Sequence, residues 1–246
     1  MFPVLEQTAT HLSSLNTLTS EEMMQVLAQY QMLPQLLREL VIDSAIAEIR
    51  CTEEEEKLAI EQIAQQYQFD SDAKRQNWLQ QNGLTSEQLD GIAIRQLKIE
   101  KFKKTAWSGD LEAYFHQRKS QLDRVIYSLL RTNDMALAQE LYFRISEGEQ
   151  SFARLAQEYS QGVEVETDGL VGPVELQSIH PVMAKILSSV QPQQLLPPTQ
   201  IGEWVVLMRL EKLLPAKLDS SMVQRLLNER FNVWLQAQMQ EQNGKF

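Results

Sequence analysis

Apolar positions in residues 1–120 recur every three or four places, the period at which one face of an α-helix repeats. Glycine is nearly absent before Gly83, so little interrupts that pattern. Three boxes mark helix starts: Thr19 with Glu22, Thr52 with Glu55, and Thr85 with Gln88. In each, the hydroxyl can accept from a free backbone N–H while the later side chain reaches back to the N-cap. The apolar residues that follow share single faces. Leu33, Leu36, Leu37, Leu40 and Val41 form one, with Pro34 tolerable only in a first turn. Ile60, Ile63, Ala64 and Tyr67 form a second, and Leu89, Ile92, Ala93 and Leu97 a third. Asn82-Gly83 reads as a helix stop, and Leu111, Tyr114 and Phe115 belong to one more helix.

The period changes after Arg124. Val125 to Leu130 is a short apolar run bounded by polar residues, which predicts a buried strand. Asp134 can cap a helix carrying Ala138, Leu141, Tyr142 and Ile145 and ending at Gly148. Phe152, Leu155, Ala156 and Tyr159 predict a shorter helix, followed by a loop from Gly162 to Thr167. Leu170 to Glu175 reads as a strand whose Pro173 places it at a sheet edge or a strand start. A helix is expected over Pro181–Val190, then an extended crossing marked by Pro192, Pro197 and Pro198. Glu203 to Leu210 is the strongest strand pattern in the chain.

Helix returns over Asp219–Gln240, with Val223, Leu226, Leu227, Phe231, Trp234 and Leu235 in a stripe wide enough to require a partner. The α/β segment is already compact by its own pattern, so the stripe is expected to pack back on the N-terminal helices. The fold class is thus α+β: a helical module, 1–122, completed by a C-terminal helix, 217–246, around an inserted α/β domain, 123–216. Insertion between close-lying ends is a tolerated arrangement.

Hydrophobic residues make up 43% of the chain, which allows a core and removes the signature of disorder. The formal net charge of −10 argues against a phosphate-backbone partner, so no nucleic acid is expected. Cys51 is the single cysteine, which excludes an intrachain disulfide, and it has no partner at metal-binding spacing. Met1–Leu15 lacks the basic and continuous apolar stretches of a secretory signal, and no window is apolar enough to span a membrane. A cytoplasmic location is therefore expected.

The stretch Ala138–Ser160, the DGLVGPV segment Asp168–Val174 and the PPTQIGEWVVLMRLEK segment Pro197–Lys212 together resemble the parvulin (PpiC-type) domain. The flanking LLRELVIDSAIAEIRCTEEE and WLQQNGLTSEQLDGIAIRQLKIEKF stretches are similar to the N-terminal chaperone domain of SurA-like and PrsA-like foldases. The whole chain also resembles a group of cyanobacterial proteins labelled peptidylprolyl isomerases. The resemblance implies cis-trans isomerisation of X–Pro bonds without a cofactor or metal, in an apolar pocket flanked by two histidines and a Cys or Asp.

This sequence departs from that pattern at all three polar positions. The resemblance puts the first histidine at Ser128 or, one residue out of register, Tyr127; the Cys or Asp at Gly162; and the last histidine at Trp204. It keeps the pocket threonine as Thr199 and offers Met183 as the large apolar residue, while the expected aromatic falls near Ser188. The candidate substrate pocket is thus Ser128, Met183, Thr199 and Trp204. Alternative readings stand beside it. Trp204 suits a strand core, His180 a helix start, His116 an exposed helix face, and Met23, Met24 and Met32 an ordinary helix core. Two functions remain open. One is a foldase or chaperone for unfolded or proline-containing polypeptides. The other is a non-catalytic adaptor for a specific partner, such as an export system or its substrate.

Overall fold

The structure is a computed structural model and describes residues 18–243, apart from the side chains of the last two. The expectation for Met1–Leu15 lies outside the described residues. In chain order the helices are α1 (Ser20–Gln29), α2 (Leu33–Ile46), α3 (Glu53–Gln66), α4 (Asp72–Asn82), α5 (Ser86–Trp107) and α6 (Leu111–Leu122). Then come β1 (Arg124–Thr132), α7 (Met135–Ser146), α8 (Phe152–Tyr159), β2 (Leu170–Glu175) and α9 (Pro181–Leu187). The strands β3 (Leu195–Ile201) and β4 (Trp204–Leu214) precede the last helix, α10 (Ser220–Asn243). The chain divides into a helical unit, residues 1–109 with 224–246, and an α/β unit, 110–223. Helix α6 therefore goes with the α/β unit.

All three sequence boxes cap helices reciprocally, at the starts of α1, α3 and α5. Four glutamates, Glu53 to Glu56, fill the first turn of α3, where negative charge opposes the positive end of the helix dipole. Gly83 closes α4 in the left-handed region, at φ 65°. Within the helical unit, Ala59, Ile63, Leu79, Leu89 and Ala93 form one core of α3, α4 and α5. A second core brings Ile42 and Ile46 of α2 together with Phe231 and Leu235 of α10. The stripe on the last helix thus packs on the N-terminal helices. Trp234 lies 5.1 Å from Phe102 and 5.6 Å from Phe231, ring to ring. The buried Lys103 pairs with Glu100 and donates to the Asn228 amide oxygen, each 2.7 Å away, and its ammonium sits 5.0 Å above the Phe231 ring.

The inward face of α2 differs from the face expected. Ile42 and Ile46 are buried, whereas Leu36 and Leu40 are exposed, as are Met24, Tyr30 and Met32 nearby in sequence. The expected stripe weighted five leucine and valine positions equally. Packing is centred instead on the C-terminal half of the helix, where α10 supplies a partner. Met24 and Met32 are therefore surface residues, while Met23 is half-buried.

The α/β unit is built on a four-stranded antiparallel sheet in the order β2-β1-β4-β3. Its termini meet, because the Asp123 carboxylate accepts from the Ala216 N–H at 2.7 Å. Side chains alternate across β1 and β4, so the sheet has two apolar faces. Leu130 and Leu207 point toward α7 and α8, where they pack with Leu141, Phe152, Leu155 and Ala156. Tyr127, Leu129, Val206 and Met208 point the other way, toward Met183 and Leu187 of α9. Asp134 and Ser151 cap α7 and α8 by accepting first-turn N–H bonds. Pro173 lies on an edge strand, as its missing N–H requires. The segment expected as an extended crossing is instead the other edge strand, β3. Pro197 and Pro198 fall where its pairing with β4 shifts register, so the ladder accommodates them. Gly169 has φ +79°, and a β-carbon there would crowd Ala156 and the Leu129 carbonyl, so β1, β2 and α8 can close only around glycine.

Candidate functional site

A cleft of about 520 Å³ opens on the α9 side of the sheet. Its apolar floor is Leu129 of β1, Val206 of β4 and Met183 of α9, with Ile201 and Trp204 along one wall. Three of these residues, Leu129, Met183 and Val206, also belong to the sheet core, so the floor is rigid. Polar groups rim it, namely Arg131, Ser178, His180 and Glu203, and the buried Tyr127 also borders it. His180 caps α9, its Nδ1 accepting from the Val182 N–H at 3.3 Å. It therefore serves as a helix cap and also borders the cleft.

Residues i, i+2 and i+4 of β1, namely Tyr127, Leu129 and Arg131, reach the cleft by strand alternation. Ser128 does not. It belongs to the opposite face, where its Oγ donates to Glu211 Oε1 at 2.5 Å. Glu211 is the unpaired residue of a bulge in β4, since Ile126 pairs with Lys212 and Tyr127 with Leu210. Its carboxylate also accepts from Arg209 Nε at 2.8 Å and Gln193 Nε2 at 2.9 Å. Arg209 in turn lies 5.5 Å over the Phe152 ring. Of the two register positions offered by the resemblance, Tyr127 borders this cleft and Ser128 does not, because one residue along a strand sends the side chain to the other face.

Of the remaining candidates, Met183 and Trp204 both line the cleft. Trp204 is half-buried against the core and also walls the opening, so the two readings of it hold together. Thr199 pairs with Val206 on edge strand β3, but its hydroxyl donates to the Pro197 carbonyl at 3.0 Å and it is not part of the lining. Gly162 lies beside the guanidinium of Arg131. A β-carbon there would fall on Arg131 Nε and the Glu164 carboxylate, so the space available for a side chain is already filled.

The filling is an ion pair that sequence reading missed. Arg131 Nε and Nη2 donate to the two oxygens of Glu164 at 2.8 and 2.6 Å, fork to fork. The Glu164 side chain is 1% exposed. Ser160 Oγ donates to it at 2.6 Å and accepts the Arg131 backbone N–H at 3.0 Å. Burial pushes the Glu164 carboxyl up, but the bonds from Arg131 and Ser160 outweigh it and hold the group below its ordinary value. Burial also raises the Tyr127 hydroxyl; Arg131 works against that and Glu164 with it. No signal in the sequence pairs Arg131 with Glu164, but the alternation Tyr127, Leu129, Arg131 was present to be read.

Residues 130–212 match the family model described as Rotamase: PPIC-type PPIASE domain. No curated protein matches the chain. Among solved structures it is similar to the peptidylprolyl isomerase PrsA from Bacillus anthracis, with TM-score 0.50 and 19% identity over 85% of this chain and 97% of that one. It is also similar to PrsA from Bacillus cereus, with TM-score 0.52 and 16% identity over 92% of this chain and 88% of that one. At such identities the likeness is one of fold.

Proposed function

We propose that this chain, which carries a PPIC-type parvulin domain on a PrsA-like fold, binds proline-containing polypeptide segments in the Trp204 cleft and isomerises their X–Pro bonds. The observation that carries the reading is the rigid apolar floor of Leu129, Met183 and Val206 beneath an open wall of Ile201 and Trp204. Such a surface suits a proline ring. The X–Pro barrier, about 18–20 kcal/mol, comes from amide resonance. Twisting the C–N bond ends that resonance and lowers the charge separation. A water-poor apolar site therefore disfavours the planar amide relative to the twisted one. No proton transfer or covalent step is needed, so the absence of the resemblance's histidines from Tyr127 and Trp204 does not remove the chemistry. Tyr127, Arg131 and Ser178 supply hydrogen-bonding groups to fix the peptide backbone.

The helical unit fits a role in holding the client. Its surface exposes Met24, Met32, Leu36, Leu40 and Leu58, and unbranched methionine adapts to varied partners. A groove of about 390 Å³ between α3 and α5 adds Leu58 and Leu97 beside Gln62, Gln66 and Gln96, a lining that can meet both side chains and backbone of an extended chain.

The test is NMR exchange spectroscopy on short Xaa-Pro peptides. The wild-type protein should speed cis-trans exchange, and Trp204→Ala should reduce the gain by about tenfold or more. Peptide-induced shifts without faster exchange would remove the isomerase step and leave a binding cleft. The absence of both shifts and faster exchange at millimolar peptide would sink the reading.

A further inference from the structure

We propose that Glu164 sets the charge preference of the cleft: by pairing Arg131 it makes the site accept neutral or basic residues beside the proline in preference to acidic ones. The inference rests on the reading of the cleft as a prolyl-peptide site and adds its specificity.

Arg131 is the one arginine or lysine that lines the cleft among the described residues. Left alone, a guanidinium at that position would attract a carboxylate on the bound peptide, because charge-assisted fork contacts are the strong ones. It is not alone. Glu164 takes two of its five N–H donors, at 2.8 and 2.6 Å, from a side chain that is 1% exposed. The pair is fixed at both ends. Ser160 binds the Glu164 carboxylate and the Arg131 backbone N–H, and the Gln161 N–H donates to the Arg131 carbonyl at 2.9 Å. Gly162 leaves the room the pair occupies. Arg131 is thus a hydrogen-bond donor whose net charge is cancelled from behind. The uncompensated formal charge on the lining is then that of Glu203, on the exposed rim beside Trp204. A peptide carboxylate would meet no free cation and one like charge, and like-charge contacts select against a partner.

Glu164 is a positioning residue: it acts through Arg131 and does not itself line the cleft. A merely structural role would weaken every peptide alike. A role in selectivity changes the ratio between peptides, and the ratio is independent of the fraction of protein folded.

The experiment measures the affinity of three peptides, Glu-Pro, Gln-Pro and Lys-Pro in one short sequence, by the quenching of tryptophan fluorescence or NMR shifts. Wild type should bind Glu-Pro no more tightly than Gln-Pro and Lys-Pro. In Glu164→Gln, the Glu-Pro to Gln-Pro affinity ratio should rise about fivefold or more, and high salt should erase the rise. A wild-type preference for Glu-Pro of about fivefold over Gln-Pro would overturn the proposal without any variant, as would a folded Glu164→Gln protein with an unchanged ratio. If Glu164→Gln fails to fold, the wild-type ratio alone decides. In either overturning case peptide still binds and the cleft reading stands. Binding of no peptide by the wild type sinks both together.

Discussion

The two faces of β1 are made of the same strand and meet opposite fates. Leu130 and Thr132 are sealed beneath α7 and α8, and Ser128 on that face is closed by Glu211. Tyr127, Leu129 and Arg131 face the seven-residue helix α9 and two short 3-10 turns, Val163–Thr167 and Leu176–Ser178. A short helix covers part of the sheet and leaves the remainder open. The site is therefore an under-covered part of the core, its floor held rigid because it is continuous with packed residues. The polar groups differ in the same sense. On the sealed face the Glu211 carboxylate collects Ser128, Arg209 and Gln193, which tie down a bulge. On the open face Glu164 collects Arg131 and Ser160 and prepares a cleft side chain.

The contrast predicts that truncation costs stability on one face and binding on the other. Phe152→Ala, on the sealed face, should lose about 3–5 kcal/mol in chemical denaturation. It should leave the relative affinities of different prolyl peptides unchanged. Gly162→Asp, which installs the acid that the parvulin resemblance places there, should collide with the Arg131–Glu164 pair and cost about 3 kcal/mol, as the breaking of buried pairs does. Faster catalysis than wild type by that variant, at wild-type stability, would break the account of why the position is glycine.

Acidification sharpens the comparison further. The Glu164 carboxyl is held below its ordinary value of 4.5, so the folded state binds its proton less readily than the unfolded chain does. Its contribution to stability should be complete above the ordinary value and fade as pH falls through the lower folded one. The acid limb of stability against pH should therefore be shallower in Glu164→Gln than in wild type. An identical limb would show that the pair does not survive in solution. The smallest effect is expected for Ser128→Ala, which removes one donor to Glu211 and should cost about 1–2 kcal/mol while leaving peptide exchange intact.

Local features were legible in the sequence because short-range chemistry determines them. The boxes at Thr19, Thr52 and Thr85 need only residues three apart, and each forms as written. The return of the last helix was legible because a stripe from Leu226 to Leu235 has to be buried somewhere. Strand β3 was not, since Pro197 and Pro198 hide an edge strand whose register shift makes room for them. The site was half legible. Met183 and Trp204 are where the resemblance places pocket residues. Ser128 lies on the other face by one step of strand alternation, and Thr199 stands on the edge strand, beyond the lining. Arg131 and Glu164 were invisible as a pair because 33 residues separate them and only the fold brings them together.

The most direct test of the central claim is methyl and amide NMR of the full chain titrated with an Ala-Pro peptide, in wild type, Trp204→Ala and Ser128→Ala. The account predicts shifts at Leu129, Met183 and Val206 with accelerated exchange. Both should be lost in Trp204→Ala and kept in Ser128→Ala. Loss in Ser128→Ala with retention in Trp204→Ala, or shifts confined to Leu130, Leu141 and Leu155, would place the peptide on the wrong face and contradict it.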